Sequence, residues 1–297
     1  MQYDPRDASR RLLLRGGAGL GVLALYRLLT GEPGPLPPGR PGAGPGPGPG
    51  SAPSGSPGRP TARADARPPA PPSYRLRPLA GHGRRGDGTD RRPVPVRTAA
   101  HETLPRPGRY VALTFDDGPH PTRTPAVLAV LRRHGVRATF FVIGENAAWH
   151  PDVLKAVAAD GHVVANHSWS HPQLDLVPAA RVRTELGRTC DLVDRALGAP
   201  PLLARAPYGA WDAPSLRICA ELGMEPMGWS VDSLDWVTRP DTRTIRTRVL
   251  RGVHPGAIVL AHDGGDGREP TVAALAHFLP RLLDRGYLPV PLTGRQA

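Results

Sequence analysis

Hydrophobic and polar positions fall into two regular rhythms along this chain, and both begin near residue 109. Compact runs of apolar, β-branched or aromatic residues predict strands over 110–115, 138–143, 162–166, 202–206, 225–231, 257–261 and 287–291. Between them, apolar residues recur three and four apart and predict helices over 124–135, 150–161, 178–198, 213–223, 241–252 and 271–286. Thr124 is the expected cap of the first helix, and each of these segments closes on a glycine that can take the left-handed stop. About seven strands alternating with helices imply βα units and a mainly parallel sheet. So few repeats fit a distorted (β/α) barrel better than an eightfold one, with an open doubly wound sheet as the alternative. Either architecture gathers its chemistry at the carboxyl ends of the strands.

Ahead of these rhythms the composition changes. Residues 32–106 are rich in Pro, Gly and Arg, including the run "PGAGPGPGPGSAPSGSPG", and offer little apolar surface to offset the entropy of ordering. They read as a disordered linker that joins residues 1–31 to a catalytic domain at 107–297. Charge divides at the same point: residues 1–106 hold 17 Arg against 7 acids, whereas residues 107–297 hold 21 Arg plus Lys against 19 acids. The basic character therefore belongs to the tail. Without interleaved aromatics or a base-reading motif, that tail does not suggest a nucleic-acid partner. "SRRLLLR", Ser9 to Arg15, followed by an apolar run from Gly16 to Tyr26, resembles a twin-arginine export signal. That run would span roughly half of a ~30 Å bilayer core as a helix, so it reads as a signal or signal anchor, and as the only expected membrane contact. Cys190 and Cys219 fall in predicted helices and read as small buried residues rather than a disulfide.

The polar residues at the predicted strand ends converge. Asp116 and Asp117 close the first strand, His167 the third, Arg205 to Tyr208 the fourth, Asp232 the fifth and His262 the sixth. His167 and His171 stand four apart, a spacing that one turn brings to a common face. Pro172 restricts that turn to a single one at the strand end. Two histidines, a carboxylate and an open position are a catalytic zinc pattern. A glycosidase would need its two carboxylates ~5–9 Å apart, which adjacent aspartates fit poorly.

"TFDDGP", "HSWSH", "RAPYG", "VDSLDW" and "VLAH", in this order across about residues 108–291, resemble the five motifs of the polysaccharide deacetylases, the NodB-homology domains of carbohydrate esterase family 4. The resemblance implies a distorted β/α barrel, a divalent metal (zinc, or cobalt) and removal of acetyl groups from a polysaccharide. With the twin-arginine-type start, the protein reads as a monomeric enzyme that is secreted or held at the cell surface. It assigns the metal to Asp117, His167 and His171, and the general base to Asp116. Arg205 would keep the neighbouring carboxylates ionised, and the Tyr208 backbone N–H would receive the oxyanion. His262 would be the general acid, with Asp232 orienting it and raising its pKa. Trp236 and Leu260 would wall the pocket for the acetyl methyl, while Asp235 reads as a structural hydrogen-bonding group. Peptidoglycan, chitin oligomers and acetylated xylan all fit this chemistry. An O-acetyl esterase and an inactive glycan-binding module are the rival readings.

Overall fold

Strand β1 (Tyr110–Asp116) alternates strictly: Val111, Leu113 and Phe115 enter one core while Ala112 enters another. The period-two pattern places the first set under the helices and the second inside a curled sheet. The remaining elements of this computed structural model follow in chain order: α1 (Arg123–Arg133), β2 (Thr139–Val142), α2 (Gly144–Trp149), α3 (Pro151–Ala159), β3 (Val163–Asn166), α4 (Ala179–Leu197), β4 (Leu203–Ala204), α5 (Ala213–Glu221), β5 (Glu225–Pro226), β6 (Val231–Asp232), α6 (Thr242–Gly252), β7 (Ala257–His262), α7 (Glu269–Asp284) and β8 (Leu288–Pro289). The structure describes residues 93–105, 108–237, 240–265 and 267–293. The export-signal reading of residues 1–31 and the linker reading up to residue 92 lie outside them.

All the strand pairs are parallel, in the order β5-β4-β3-β2-β1-β7-β6, with β8 added to the start of β1. This is the distorted (β/α) barrel expected from the sequence. Its outer core packs Phe115 and Phe140 against Leu128, Leu131, Leu154, Phe278 and Leu282 of the helices. Each such side chain, fully buried, contributes ~1.5–3 kcal/mol. The inner core is narrower and uses smaller residues, with Ala112, Ala165 and Leu203 around Phe141 and Met227. No helix among the described residues is long and apolar enough to cross a membrane.

Three sequence expectations change. The strand expected over 225–231 is two: β5 pairs with β4, whereas β6 pairs with β7 at the opposite end of the sheet. Pairing with β4 ends at Met227 N, which donates to Ala204 O at 2.8 Å, and the chain then crosses to the other edge. A short helix, α2, also follows β2 where none was expected.

The third change concerns the linker, whose last residues, 93–105, belong to the domain. His101 donates to Pro226 O at 2.9 Å and accepts from Gly228 N at 2.8 Å, and Leu104 N donates to Gly256 O at 2.8 Å. Leu104 joins the inner core. Arg97 grips the buried Glu225 with two nitrogens, at 2.8 and 3.0 Å. The segment thus spans from the β5 side to the start of β7, across the opening that the split strand leaves. Composition hid this, because the pairing uses backbone groups that Pro/Arg-rich flanks do not advertise.

Candidate active site

The strand register delivers the polar residues to one rim. Asp116 and His262 are direct partners on β1 and β7, and Asn166 at the end of β3 pairs with Ala204 on β4. Asp117, His167 and Arg205 follow immediately after these rows. In the loops beyond them, five non-glycine residues take left-handed backbone: Asp117 (φ 71°), Ser168 (65°), His171 (60°), Tyr208 (62°) and Leu234 (52°). Each such conformation costs ~1–3 kcal/mol and persists only where its surroundings impose it.

The loop carrying His167 and His171 shows how. It forms no helical turn, contrary to expectation; left-handed Ser168 and His171 fold it back instead. Ser168 N donates to the Asn166 side chain at 2.8 Å, and His171 N donates to Ser168 Oγ at 3.1 Å. Buried Glu185 of α4 accepts from Trp169 N at 2.9 Å and Ser170 N at 2.7 Å. Sequence reading gave Glu185 no role, since an acid inside a helical segment looks like a solvated face.

The folded loop aims both imidazoles at Asp117. His167 Nε2 and His171 Nε2 stand 3.4 and 3.2 Å from Asp117 Oδ1, a buried oxygen that has no hydrogen-bond partner. One donor atom from each of the three residues lies within 4.8 Å of the others. His167 Nδ1 stands 2.9 Å from Arg205 O, so it carries the proton and leaves Nε2 free as a ligand. Burial alone would raise the Asp117 pKa, but the two histidines that face it hold it well below the usual carboxylate range. Two imidazole nitrogens, one ionised carboxylate and an orphaned oxygen between them fit a divalent metal such as zinc.

Glycine makes the tight approach possible. A Cβ on Gly264 would lie 2.0 Å from Asp117 O, and one on Gly118 would lie 2.4 Å from the Asp263 carboxylate. Asp263 is a third buried acid behind the pair. Its burial, followed by the charges of Asp117 and Asp116, outweighs a hydrogen bond from Thr124 and raises its pKa to about 7. Thr124, expected as a helix cap, lies inside α1 and accepts from His120 N.

Asp116 faces the triad but is held from behind. Arg205, wholly buried, donates to Asp116 Oδ1 at 2.7 Å, Thr114 Oγ1 at 2.9 Å and Gly228 O at 2.7 Å, and stacks 4.1 Å over the Phe141 ring. Burial lowers the Arg205 pKa despite the opposing pull of Asp116. A guanidinium stays charged even so, and it neutralises the carboxylate in place. The other Asp116 oxygen lies 3.7 Å from His167 Nε2, on the side of the triad.

Opposite stands His262, whose partner is Asp235 and not Asp232. Asp235 Oδ1 lies 2.7 Å from His262 Nδ1, while its Oδ2 accepts from His262 N and Thr271 Oγ1, each at 2.8 Å. Burial would lower the His262 pKa, but the bond and charge of Asp235, aided by Asp117 and Asp116, raise it to about 9. Asp232 is turned elsewhere: it accepts from Leu234 N at 2.7 Å and from Trp236 Nε1 at 3.2 Å. Left-handed Leu234 reverses the chain between the two acids, which decides which one reaches the histidine. "VDSLDW" offers both acids, and only the backbone reversal separates them.

The three residues expected to bind substrate differ in exposure. Leu260 is buried two residues before His262 on the same face of β7, and Trp236 is half exposed in the loop after β6. Tyr208, 65% exposed, packs its ring 4.8 Å from that of His171. Cys190 and Cys219 are both buried and are not joined in a disulfide, and the first packs against Met224.

Comparison with known proteins agrees with this architecture. The sequence model of the polysaccharide deacetylase family matches residues 103–227. A chitooligosaccharide deacetylase of Bradyrhizobium sp. (strain ANU 289) is 42% identical over 196 residues, covering 62% of this chain and 89% of the relative. A peptidoglycan-N-acetylglucosamine deacetylase of Bacillus cereus is 38% identical over 177 residues, covering 59% of this chain and 64% of the relative. Among solved structures, the Bc1960 peptidoglycan N-acetylglucosamine deacetylase superposes with a TM-score of 0.62 at 36% identity, covering 65% of this chain and 90% of that one.

Proposed function

The chain belongs to the polysaccharide deacetylase family, and from that premise we propose that it is a metal-dependent hydrolase. Its substrate would be polysaccharide containing N-acetylglucosamine, either peptidoglycan or chitin oligomers. The observation that carries this reading is the convergence of Asp117, His167 and His171 on one point, with Asp116 on its flank and His262 across from it.

A divalent metal held by those three residues would supply Lewis-acid polarisation of the acetyl carbonyl and of water. The remaining work falls to the chain. Arg205 fixes one oxygen of Asp116 and leaves the other to accept a proton from the attacking water. The Tyr208 backbone, held left-handed against His171, would offer its N–H to the developing oxyanion. His262 directs Nδ1 to Asp235, which leaves Nε2 to protonate the departing amine. Leu260 and Trp236 would enclose the methyl group, with Asp232 fixing the indole through its Nε1.

Zinc-loaded protein should release acetate from N-acetylglucosamine oligomers or peptidoglycan, and a chelator should abolish the release until zinc or cobalt is restored. Full activity in metal-free protein would overturn the reading. Acetylxylan in the same panel separates N- from O-deacetylation. Export through the twin-arginine-type signal is part of the proposal, and Arg10→Lys with Arg11→Lys should block it. Unchanged export would point to another route.

A further inference from the structure

We propose that Trp149 is a stacking platform for a sugar ring neighbouring the one that carries the acetyl group, so that it sets preference for long over short glycans. The proposal rests on the deacetylase reading above. Trp149 ends α2 and is 71% exposed, among the most exposed large apolar side chains of the described residues. An isolated exposed tryptophan is unremarkable by itself. Its place on the helix gives it meaning.

Residues three and four apart share a helical face, and Trp149 stands at those spacings from Asn146 and Glu145. Both of these hold the loops of the metal triad. Asn146 Nδ2 donates to Asp117 O at 2.8 Å, and Glu145 accepts from Trp169 Nε1 at 3.1 Å, within the loop of His167 and His171. The backbone agrees, since Gly144 N donates to Ser168 O and Glu145 N to Trp169 O, both at 3.0 Å. Buried Ala147 anchors the opposite side of α2. Trp149 therefore shares the helical face of the two residues that hold the triad's loops.

The sheet order gives the direction. β2, which leads into α2, lies on one side of β1, whereas β7 and β6 lie on the other. Trp149 and Trp236 consequently flank Asp116 and Asp117 from opposite sides. With Trp236 at the acetyl pocket, a polymer must continue past the reacting unit, and the exposed aromatics on the β2 side of β1 are Tyr208, which packs on His171, and Trp149. The apolar C–H face of a pyranose ring fits an indole face, whose hydrophobic area is large and whose rotamer freedom is small.

The test compares full-chain, zinc-loaded wild type with Trp149→Ala and Trp149→Phe. Turnover is measured on the N-acetylglucosamine pentamer and dimer and on 4-nitrophenyl acetate, and pentamer dissociation constants by calorimetry. In Trp149→Ala the ratio of kcat/KM on pentamer over dimer should fall about tenfold, equivalent to ~1.4 kcal/mol. The fall should lie mainly in KM, and pentamer binding should weaken to match. The Trp149→Phe variant should recover most of both. An unchanged ratio, or an equal loss on all three substrates, would overturn the platform. Wild type that binds pentamer through Trp149 yet deacetylates nothing would overturn the functional reading and leave the platform standing. Wild type that neither binds nor turns over pentamer would remove both.

Discussion

Asp235 Oδ1, fully buried, and His262 Nδ1 lie 2.7 Å apart across the loop that joins β6 to α6 and the end of β7. The pair sets the pH response. His262 titrates at about 9, so the imidazolium that can deliver a proton is present below that value and lost above it. A bound cation nearby would draw the figure downward. Asp235→Asn removes the charge that raises the pKa and leaves the burial that lowers it. The alkaline limb of kcat/KM should then move to or below the ordinary histidine value of ~6.5, with kcat reduced about 10²-fold. Stability follows the same sign: the raised pKa stabilises the fold fully below ~6.5, and that contribution disappears as pH rises through about 9. Asp232→Asn should loosen Trp236 and raise KM while leaving the limb in place.

The two adjacent acids should separate cleanly. Asp117→Asn should lose metal, whereas Asp116→Asn should keep it and lose turnover, read by metal content and acetate release. Equal loss of metal in both would show that Asp116 is also a ligand.

Gly264→Ala should behave like a ligand mutation although residue 264 touches no metal. Its Cβ would overlap the Asp117 carbonyl and carbon at 2.0 and 2.1 Å, both backbone atoms that cannot swing away. Metal affinity should drop at least tenfold, measured by competition with a chelating dye. Normal affinity would mean that the two loops can part without moving the carboxylate.

Truncations locate the true edge of the domain. Removing residues 1–92 should leave the urea midpoint unchanged, whereas removing residues 1–106 should lower stability by ~2 kcal/mol or more. The longer deletion exposes the surface that Leu104 covers and leaves buried Glu225 without Arg97. Equal midpoints would reduce the segment to an incidental contact.

Hydrophobic rhythm made the barrel legible, and strand ends made the rim legible. Asp116, Asp117, His167, Arg205 and His262 could be found because buried strands must deliver such residues to the same side. What escaped was governed by backbone direction instead of side-chain pattern. Leu234 turning left-handed gives His262 to Asp235, the chain crosses between sheet edges after Met227, and residues 93–105 bind through main-chain groups. Glu185 and Asn146 also escaped, because their partners are N–H and C=O groups of distant loops.

The left-handed residues around the rim set backbone comfort against chemistry. Glycine would sit at Asp117 and His171 with less strain. It would also remove the carboxylate and the imidazole that converge on one point there. The rim therefore cannot be relaxed at these two positions without being disarmed.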